Sequence, residues 1–348
     1  VRQPKVKSLP TAPATGKHVE HVAAMDIGSN TVHITVARKG KTDADLEILA
    51  DESDLVRLGH DVGAMGALGD VRAERAIDAL RQYTLLAGML GCETILCVAT
   101  GGVRAASNGA EFLARARSET GLDIHMISGE QEGMLSYWGA SSDGPELKGD
   151  RAVVDLGGSS LEIAAGRGSA LRWRVSLPLG AGALRDRIGF SDPPALDELN
   201  RAYEVAHETL ATHQPPQPLD EVAVCGGTAR SIATVGVRIF GDETDRITVR
   251  DGQLIEVTGP QILTRFHLES VLATLTKQPA WKIASRFSMK PARARILAAG
   301  VISLLCAMEA TGVSRMRVSG RGIREGAILA WLHTGRDWLN AASRGAGW

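Results

Sequence analysis

A chain of 348 residues, 44% hydrophobic and 23% charged, has the make-up of a folded protein long enough for two domains. Its formal net charge of −1 excludes a global field that gathers nucleic acid or an acidic membrane, so a polyanion would have to be held by charge focused in a cleft. Four cysteines without a C-x-x-C pair (Cys92, Cys97, Cys225, Cys306) exclude a zinc or disulfide framework and read as reduced core thiols of a cytoplasmic protein.

In chain order, residues 1–19 carry Arg2, Lys5, Lys7 and Lys17, several prolines and no acid, which predicts a disordered basic leader rather than a secretory signal. His21 to Asp26 and Thr31 to Arg38 flank the Gly28-Ser29-Asn30 turn and predict a hairpin, with a third strand from Leu46 to Leu58. Asp70 is expected to cap a helix whose apolar positions (Ala73, Ala76, Ile77, Leu80, Tyr83, Ala87) share one face before Gly91. Thr94 to Ala99 reads as a buried strand of a parallel sheet, opening into Thr100-Gly101-Gly102-Val103-Arg104. Asn108 is expected to cap a helix that stops at Gly121. Asp123 to Ile127 predicts a short strand, and Ser128 starts another helix.

From Ala152 the pattern restarts: a strand, a Gly-Gly-Ser-Ser turn, the strand Leu161 to Ala165, a turn at Gly166-Arg167-Gly168 and the strand Leu171 to Leu177. Helices follow across Ala195 to Thr212, then the strand Glu221 to Cys225 and a Gly226-Gly227-Thr228 turn into a helix. A polar hairpin (Ile247 to Val257), a helix begun by Pro260, a basic loop, the Ile296 helix, the strand Met316 to Ser319 and a closing helix from Gly322 to His333 complete the order. The apolar run Ile296 to Met308 is too short to span a bilayer and reads as a core helix. β-hairpin, β, α, β, α given twice suggests two related α/β lobes with a cleft between them. The expected limits are 20–140 plus 322–335 for one lobe, 141–321 for the other, and 336–348 as a tail.

Two turns carry the chemistry. In VVDLGGSSLEI, Asp155 ends an apolar run, Gly157 and Gly158 admit a ligand to the backbone, Ser159 and Ser160 add hydroxyl and N–H donors, and Glu162 returns on the far side. Successive N–H groups in such a turn make an anion nest, and a carboxylate at its start can hold Mg2+ beside phosphate oxygens. MDIGSNTV is a second copy, with Asp26, Gly28, Ser29, Asn30 and Thr31. Ser128 and Gln131 form a capping box that seats Glu132 near a helix start, where the dipole favours the ionised carboxylate that a base on water needs.

Arg104, after a Gly-Gly turn at a strand's end, can grip phosphate bidentately. Gly226, Gly227 and Thr228 lead into a helix N-terminus, an anion or nucleotide seat. Arg286, Lys290, Arg293 and Arg295 can line a groove for a long polyanion, whereas His33, alternating within a strand, reads as structural. Each site also has a plain reading: ordinary hairpins, an exposed helix-start glutamate, a solvated arginine, a tight turn, a solvated loop. Without an H-E-x-x-H, a P-loop or a readable Ser-His-Asp set, carboxylates, glycine turns and an arginine suit Mg2+-assisted phosphoryl transfer.

The segments MDIGSNTVHITV, ATGGVRAASNGAEFLARARSETGL, ISGEQEGML, VVDLGGSSLEIAAG, SLPLGAGAL with SDPP, CGGTARSIA and RVSGRGIREGAIL resemble, in this order, the exopolyphosphatase/guanosine pentaphosphate phosphatase (Ppx/GppA) family. The resemblance runs from about Val22 to Leu332 and is greatest to the short form that ends after two actin-like (RNase H-like) lobes. It implies an α/β fold with mixed sheets and an interlobe cleft, and release of orthophosphate from inorganic polyphosphate, guanosine pentaphosphate or both. It further implies Mg2+ (or Mn2+), a homodimer, and neither nucleic acid nor membrane as partner.

By position, Glu132 matches the family's water-activating carboxylate, while Asp155 and Glu162 match its acidic pair, with Asp26 a further expected metal ligand. Gly157, Gly158 and Ser160 match the phosphate cradle. Asp26, Ser29 and Asn30 match the first phosphate turn, and Arg104 the phosphate-gripping arginine. The chain departs from the family pattern at Met134, Ser159, Leu161, Arg295 and Gly320. Two other functions stay open: an ATP-dependent phosphotransferase with adenosine at Gly226-Gly227-Thr228, and a non-catalytic nucleotide or alarmone sensor.

Overall fold

Apolar residues along Val22–Met25 and at Ile27, Val32, Ile34, Val36 and Ala37 bury both faces of the N-terminal hairpin, so it forms the middle of a sheet rather than an edge. The computed structural model describes residues 20–42, 45–60, 62–144, 149–216, 218–241, 246–250, 253–258 and 262–344. Its first sheet holds β1 (His21–Ile27), β2 (Thr31–Lys39), β3 (Leu46–Leu55), β4 (Thr94–Ala99) and β5 (Ile124–Met126), in the order β3-β2-β1-β4-β5. With it go α1 (Val62–Met65), α2 (Asp70–Met89), α3 (Gly101–Arg104), α4 (Gly109–Thr120) and α5 (Gly129–Ser141).

The second half starts with β6 (Asp150–Leu156), β7 (Leu161–Arg167), β8 (Ala170–Leu177), α6 (Ala181–Ile188), α7 (Leu196–Ala211), β9 (Glu221–Cys225) and α8 (Gly227–Phe240). A separate ribbon of β10 (Arg246–Arg250) and β11 (Gln253–Thr258) follows. Then come β12 (Ile262–Thr264), α9 (Arg265–Leu275), α10 (Ala280–Arg286), α11 (Pro291–Ala310), β13 (Arg315–Val318), α12 (Ile323–Thr334) and α13 (Trp338–Arg344).

The second sheet runs β12-β13-β9-β6-β7-β8. β6 is antiparallel to β7 and parallel to β9, as β1 is antiparallel to β2 and parallel to β4. The same wiring occurs twice, and each copy ends its hairpin in a glycine turn.

Among the described residues, three cores hold this together. α2 and α4 cover one face of the first sheet, with Ile77, Leu80 and Leu113 against Met25, Ile27 and Ile34. α11 is the centre of the second. The third joins the sheets: α5 and α12 lie between them, with Leu135, Trp138, Ile328 and Leu329 packed against Ala24 and Val98 on one side and Val153 and Ala164 on the other. The two helices cross so closely that a side chain on Gly326 would overlap the Leu135 carbonyl.

Several local expectations are corrected. Asp70 is the first residue of α2 and makes no side-chain cap. Asn108 precedes α4, but its amide bonds the backbone N–H (2.8 Å) and carbonyl (3.0 Å) of Leu68 instead of capping the helix. The helix assigned to Pro260 begins at Arg265, with the Thr264 hydroxyl accepting from the His267 N–H at 3.2 Å; Pro260 lies outside the described residues. The expected basic loop is mostly helix, because Pro291 fits the first turn of α11 and draws Arg293 and Arg295 onto it. Arg295 is exposed and lies 3.7 Å from Asp192.

α11 is 20 residues long, enough by length and composition to cross a membrane, yet 72% of its apolar window is buried inside the fold. The segment expected as a tail supplies α13, which buries Trp338 and Ala341. The expected leader lies outside the described residues.

Candidate active site

Both glycine turns point into the same cleft. In the first, the Gly28 N–H bonds the Thr31 carbonyl (3.0 Å), and the carbonyls of Ser29 and Asn30 accept from the N–H groups of Gly59 and Arg57, both at 2.7 Å. In the second, the Gly157 N–H bonds the Ser160 carbonyl (3.1 Å), while the carbonyls of Gly157 and Gly158 accept from the first N–H groups of α6. The two turns touch, since a side chain on Gly158 would meet Asn30 Nδ2 at 2.7 Å. α3 fills the gap between them: Cβ atoms on Gly101 and Gly102 would lie 2.8 Å from Ser159 Oγ and 2.6 Å from Ser29 Cα.

Four carboxylates converge here. Asp155 and Glu162 are cross-strand partners on β6 and β7. The Ser136 hydroxyl donates to Asp155 Oδ2, and the Ser176 hydroxyl to Glu162 Oε1 at 2.7 Å. Asp26 is at the end of β1, and its buried Oδ1 has no hydrogen-bond partner among the described residues. Glu132, 8% exposed, enters from the first turn of α5, where Ser128 and Gln131 form the expected capping box. Arg104 bonds the Ile127 carbonyl at 2.7 Å and lies 3.5 Å from Glu132 Oε2.

Burial dominates their titration. It pushes Asp26 up to about 7, with Arg324 opposing and Asp155 adding to the rise. Glu162 goes to about 8 through burial and the Asp155 charge. Glu132 is driven well above the usual carboxylate range by burial and the charges of Glu162, Asp155 and Asp26, and Asp155 also rises through burial. The helix start therefore does not by itself keep Glu132 ionised: a terminal dipole contributes roughly 0.3–1 kcal/mol, less than burial among like charges costs.

Positive charge also gathers near these carboxylates. Burial and the charges of Arg324, Arg230 and Arg293 hold His33 well below its ordinary value, and its Nε2 lies 2.6 Å from Thr31 Oγ1. Arg293 is depressed by burial and by Arg230, and its Nη1 donates to the Thr228 hydroxyl at 3.2 Å. Thr228 is thus buried and occupied by Arg293, while Gly226 and Gly227 border the cleft beside Asp155 and Arg293.

The donor set fits a hard divalent cation. Among the described residues, no group of three or more His, Cys, Asp or Glu side chains stands at metal-holding spacing, so no all-protein cage is built. Mg2+ usually takes only one or two carboxylates and completes its shell with phosphate oxygens and water. The partnerless Asp26 Oδ1 and the raised Asp155 and Glu162 are what a cation between them would relieve.

Three of the five departures from the family pattern have a clear local setting. Met134 is fully buried in the core between the sheets, as is Leu161 in the second sheet's core. At Gly320, Asp143 supplies a carboxylate from the end of α5, accepting from the Gly320 N–H at 2.7 Å and the Ser319 hydroxyl at 2.8 Å. Sequence reasoning missed Ser136, Ser176, Arg230 and Arg324; Ser136 alone had a local signal, lying one helical turn after Glu132.

The family model described as the Ppx/GppA phosphatase family matches residues 35–335. Exopolyphosphatase 1 of Mycobacterium tuberculosis (strain ATCC 25618 / H37Rv) is 27% identical over 325 residues, 91% of this chain and 89% of its own length. The crystal structure of the Aquifex aeolicus Ppx/GppA family member superposes with a TM-score of 0.75 at 29% identity, over 91% of this chain and 99% of its own. An exopolyphosphatase structure from Cytophaga hutchinsonii shares the fold, with a TM-score of 0.76 at 19% identity over 90% and 98% of the two chains. With a family match over residues 35–335, well over half of the sequence, and a whole-length likeness in fold, the chain belongs to the Ppx/GppA phosphatase family.

Proposed function

We propose that this protein is an exopolyphosphatase, releasing orthophosphate from the end of inorganic polyphosphate. The single observation that carries the reading is the convergence of Glu132 and Arg104 on two facing acid-and-glycine turns. The name of the M. tuberculosis relative supports polyphosphate as substrate.

In this reading the terminal phosphate lies against the N–H groups of the Gly157–Ser160 and Gly28–Thr31 turns, with Arg104 across its oxygens. Water oxygen bonds to the terminal phosphorus as the bridging P–O bond breaks, and the shortened chain leaves with the bridging oxygen. Glu132 accepts the water proton; such a positioned base contributes about 10²–10⁴-fold. Asp155, Glu162 and Asp26 are the residues that would hold Mg2+ or Mn2+, whose charge neutralises the phosphate oxygens when bound. Arg230 and Arg293, whose charges act on His33 of β2, are the cations this reading assigns to the following phosphates of a chain.

A phosphate-release assay on long-chain polyphosphate, short-chain polyphosphate and guanosine pentaphosphate, each with Mg2+ or Mn2+, tests the reading. Release from polyphosphate supports it. Release from guanosine pentaphosphate alone reassigns the substrate, transfer from ATP to an acceptor indicates a kinase, and binding without release indicates a sensor.

A further inference from the structure

α5 carries two polar groups toward the cleft one turn apart. Glu132 and Ser136 stand at i and i+4, so their side chains leave the same helix face. Ser136 is fully buried, and its hydroxyl is spent on Asp155 Oδ2. The other oxygen, Oδ1, lies where a side chain on Gly226 would meet it at 2.6 Å, at the β9 end that opens into α8. An Asp carboxylate turns broadly about χ2, so its plane is set by whatever bonds it. Ser136 supplies that bond from the helix carrying Glu132, and the Cys225 thiol lies on the same carboxylate.

We propose that Ser136 is a positioning residue for hydrolysis: it fixes the plane of the Asp155 carboxylate, leaves Oδ1 as the oxygen offered to a divalent cation, and ties that carboxylate to the helix bearing Glu132. The inference rests on the phosphohydrolase reading of this cleft. α5 packs against both sheets, and the Ser136–Asp155 bond links the helix bearing Glu132 to the strand bearing the cation carboxylate. A hydroxyl that merely satisfies itself in the core has no such consequence. In that case Ser136→Ala is silent at the cleft, and alanine's higher helix propensity sustains the fold.

The test compares wild type, S136A and S136C for Mn2+ binding by calorimetry, for Tm in chelator, and for kcat and KM with polyphosphate. S136A is expected to weaken Mn2+ binding and lower kcat by about tenfold or more, the usual effect of removing a group that orients a metal ligand. Its KM for polyphosphate and its Tm in chelator are expected to stay at wild-type values. S136C keeps a similar volume and a weaker donor, and is expected to fall between the two. Equal Mn2+ affinity in wild type and S136A would overturn the positioning role. A wild type that binds Mn2+ more tightly than S136A yet releases no phosphate would defeat the hydrolase reading and leave the orientation of Asp155 standing.

Discussion

Arg104 Nη1 lies 3.5 Å from Glu132 Oε2 while donating to the Ile127 carbonyl at 2.7 Å, so one guanidinium is anchored beside the proposed base by the residue just before the helix cap. That anchoring sets two opposing effects on Glu132. Burial and three neighbouring carboxylates favour its protonated form, and Arg104 is the cation that opposes them.

Replacing that cation should therefore move the base. In Arg104→Ala the Glu132 pKa rises further, so the acid limb of the pH–rate profile shifts to higher pH. The loss of a phosphate grip lowers kcat/KM by about tenfold or more, since a charge-assisted hydrogen bond contributes about 1.5–3 kcal/mol. Arg104→Lys keeps a charge without the fork and should recover part of the pH shift but little of the affinity. An unmoved acid limb in the alanine variant would contradict the pairing.

The carboxylate cluster predicts an unusual stability profile. Asp26 at about 7 and Glu162 at about 8 are raised above their ordinary values of 3.8 and 4.5, so the folded state binds more protons than the unfolded one between those limits. Their contribution is complete below about pH 4 and is lost as pH rises through 7 and 8. Tm in chelator should fall across that window. The stabilisation produced by added Mg2+ should grow over the same window, because a cation favours the ionised forms. A cation effect of equal size at pH 5 and pH 8 would count against the cluster as the binding place.

At the crossing of α5 and α12 there is no room for a side chain. Gly326→Ala would push a methyl into the Leu135 carbonyl and separate the helices that join the two sheets. Denaturant unfolding should show a loss of about 3 kcal/mol, near the upper end of ordinary overpacking costs. A change below about 0.5 kcal/mol would show that the helices can part freely.

Features of this site that depend on neighbours in sequence were legible in it. The hairpins, the glycine turns and the Ser128 capping box each follow from a few adjacent residues, and all formed where expected. What escaped depends on contacts across the fold. Pro260 suggested a helix start, but Thr264 caps the helix that forms, and the basic run around Arg293 became the first turn of a core helix. Glu132 was expected to be ionised from its place on the helix, whereas its proton affinity is raised first by burial and then by the charges of Glu162, Asp155 and Asp26. The Ser136–Asp155 bond joins a helix to a strand and has no signature beyond the spacing from Glu132.

Orthophosphate release from polyphosphate with Mg2+, compared between wild type and Glu132→Gln, tests the central claim most directly. The amide keeps the shape and cannot accept the proton, so release should fall by about 10²-fold or more while polyphosphate binding and Tm in chelator are maintained. Turnover at the wild-type rate in Glu132→Gln would contradict the assignment of Glu132 as the group that takes the proton from water.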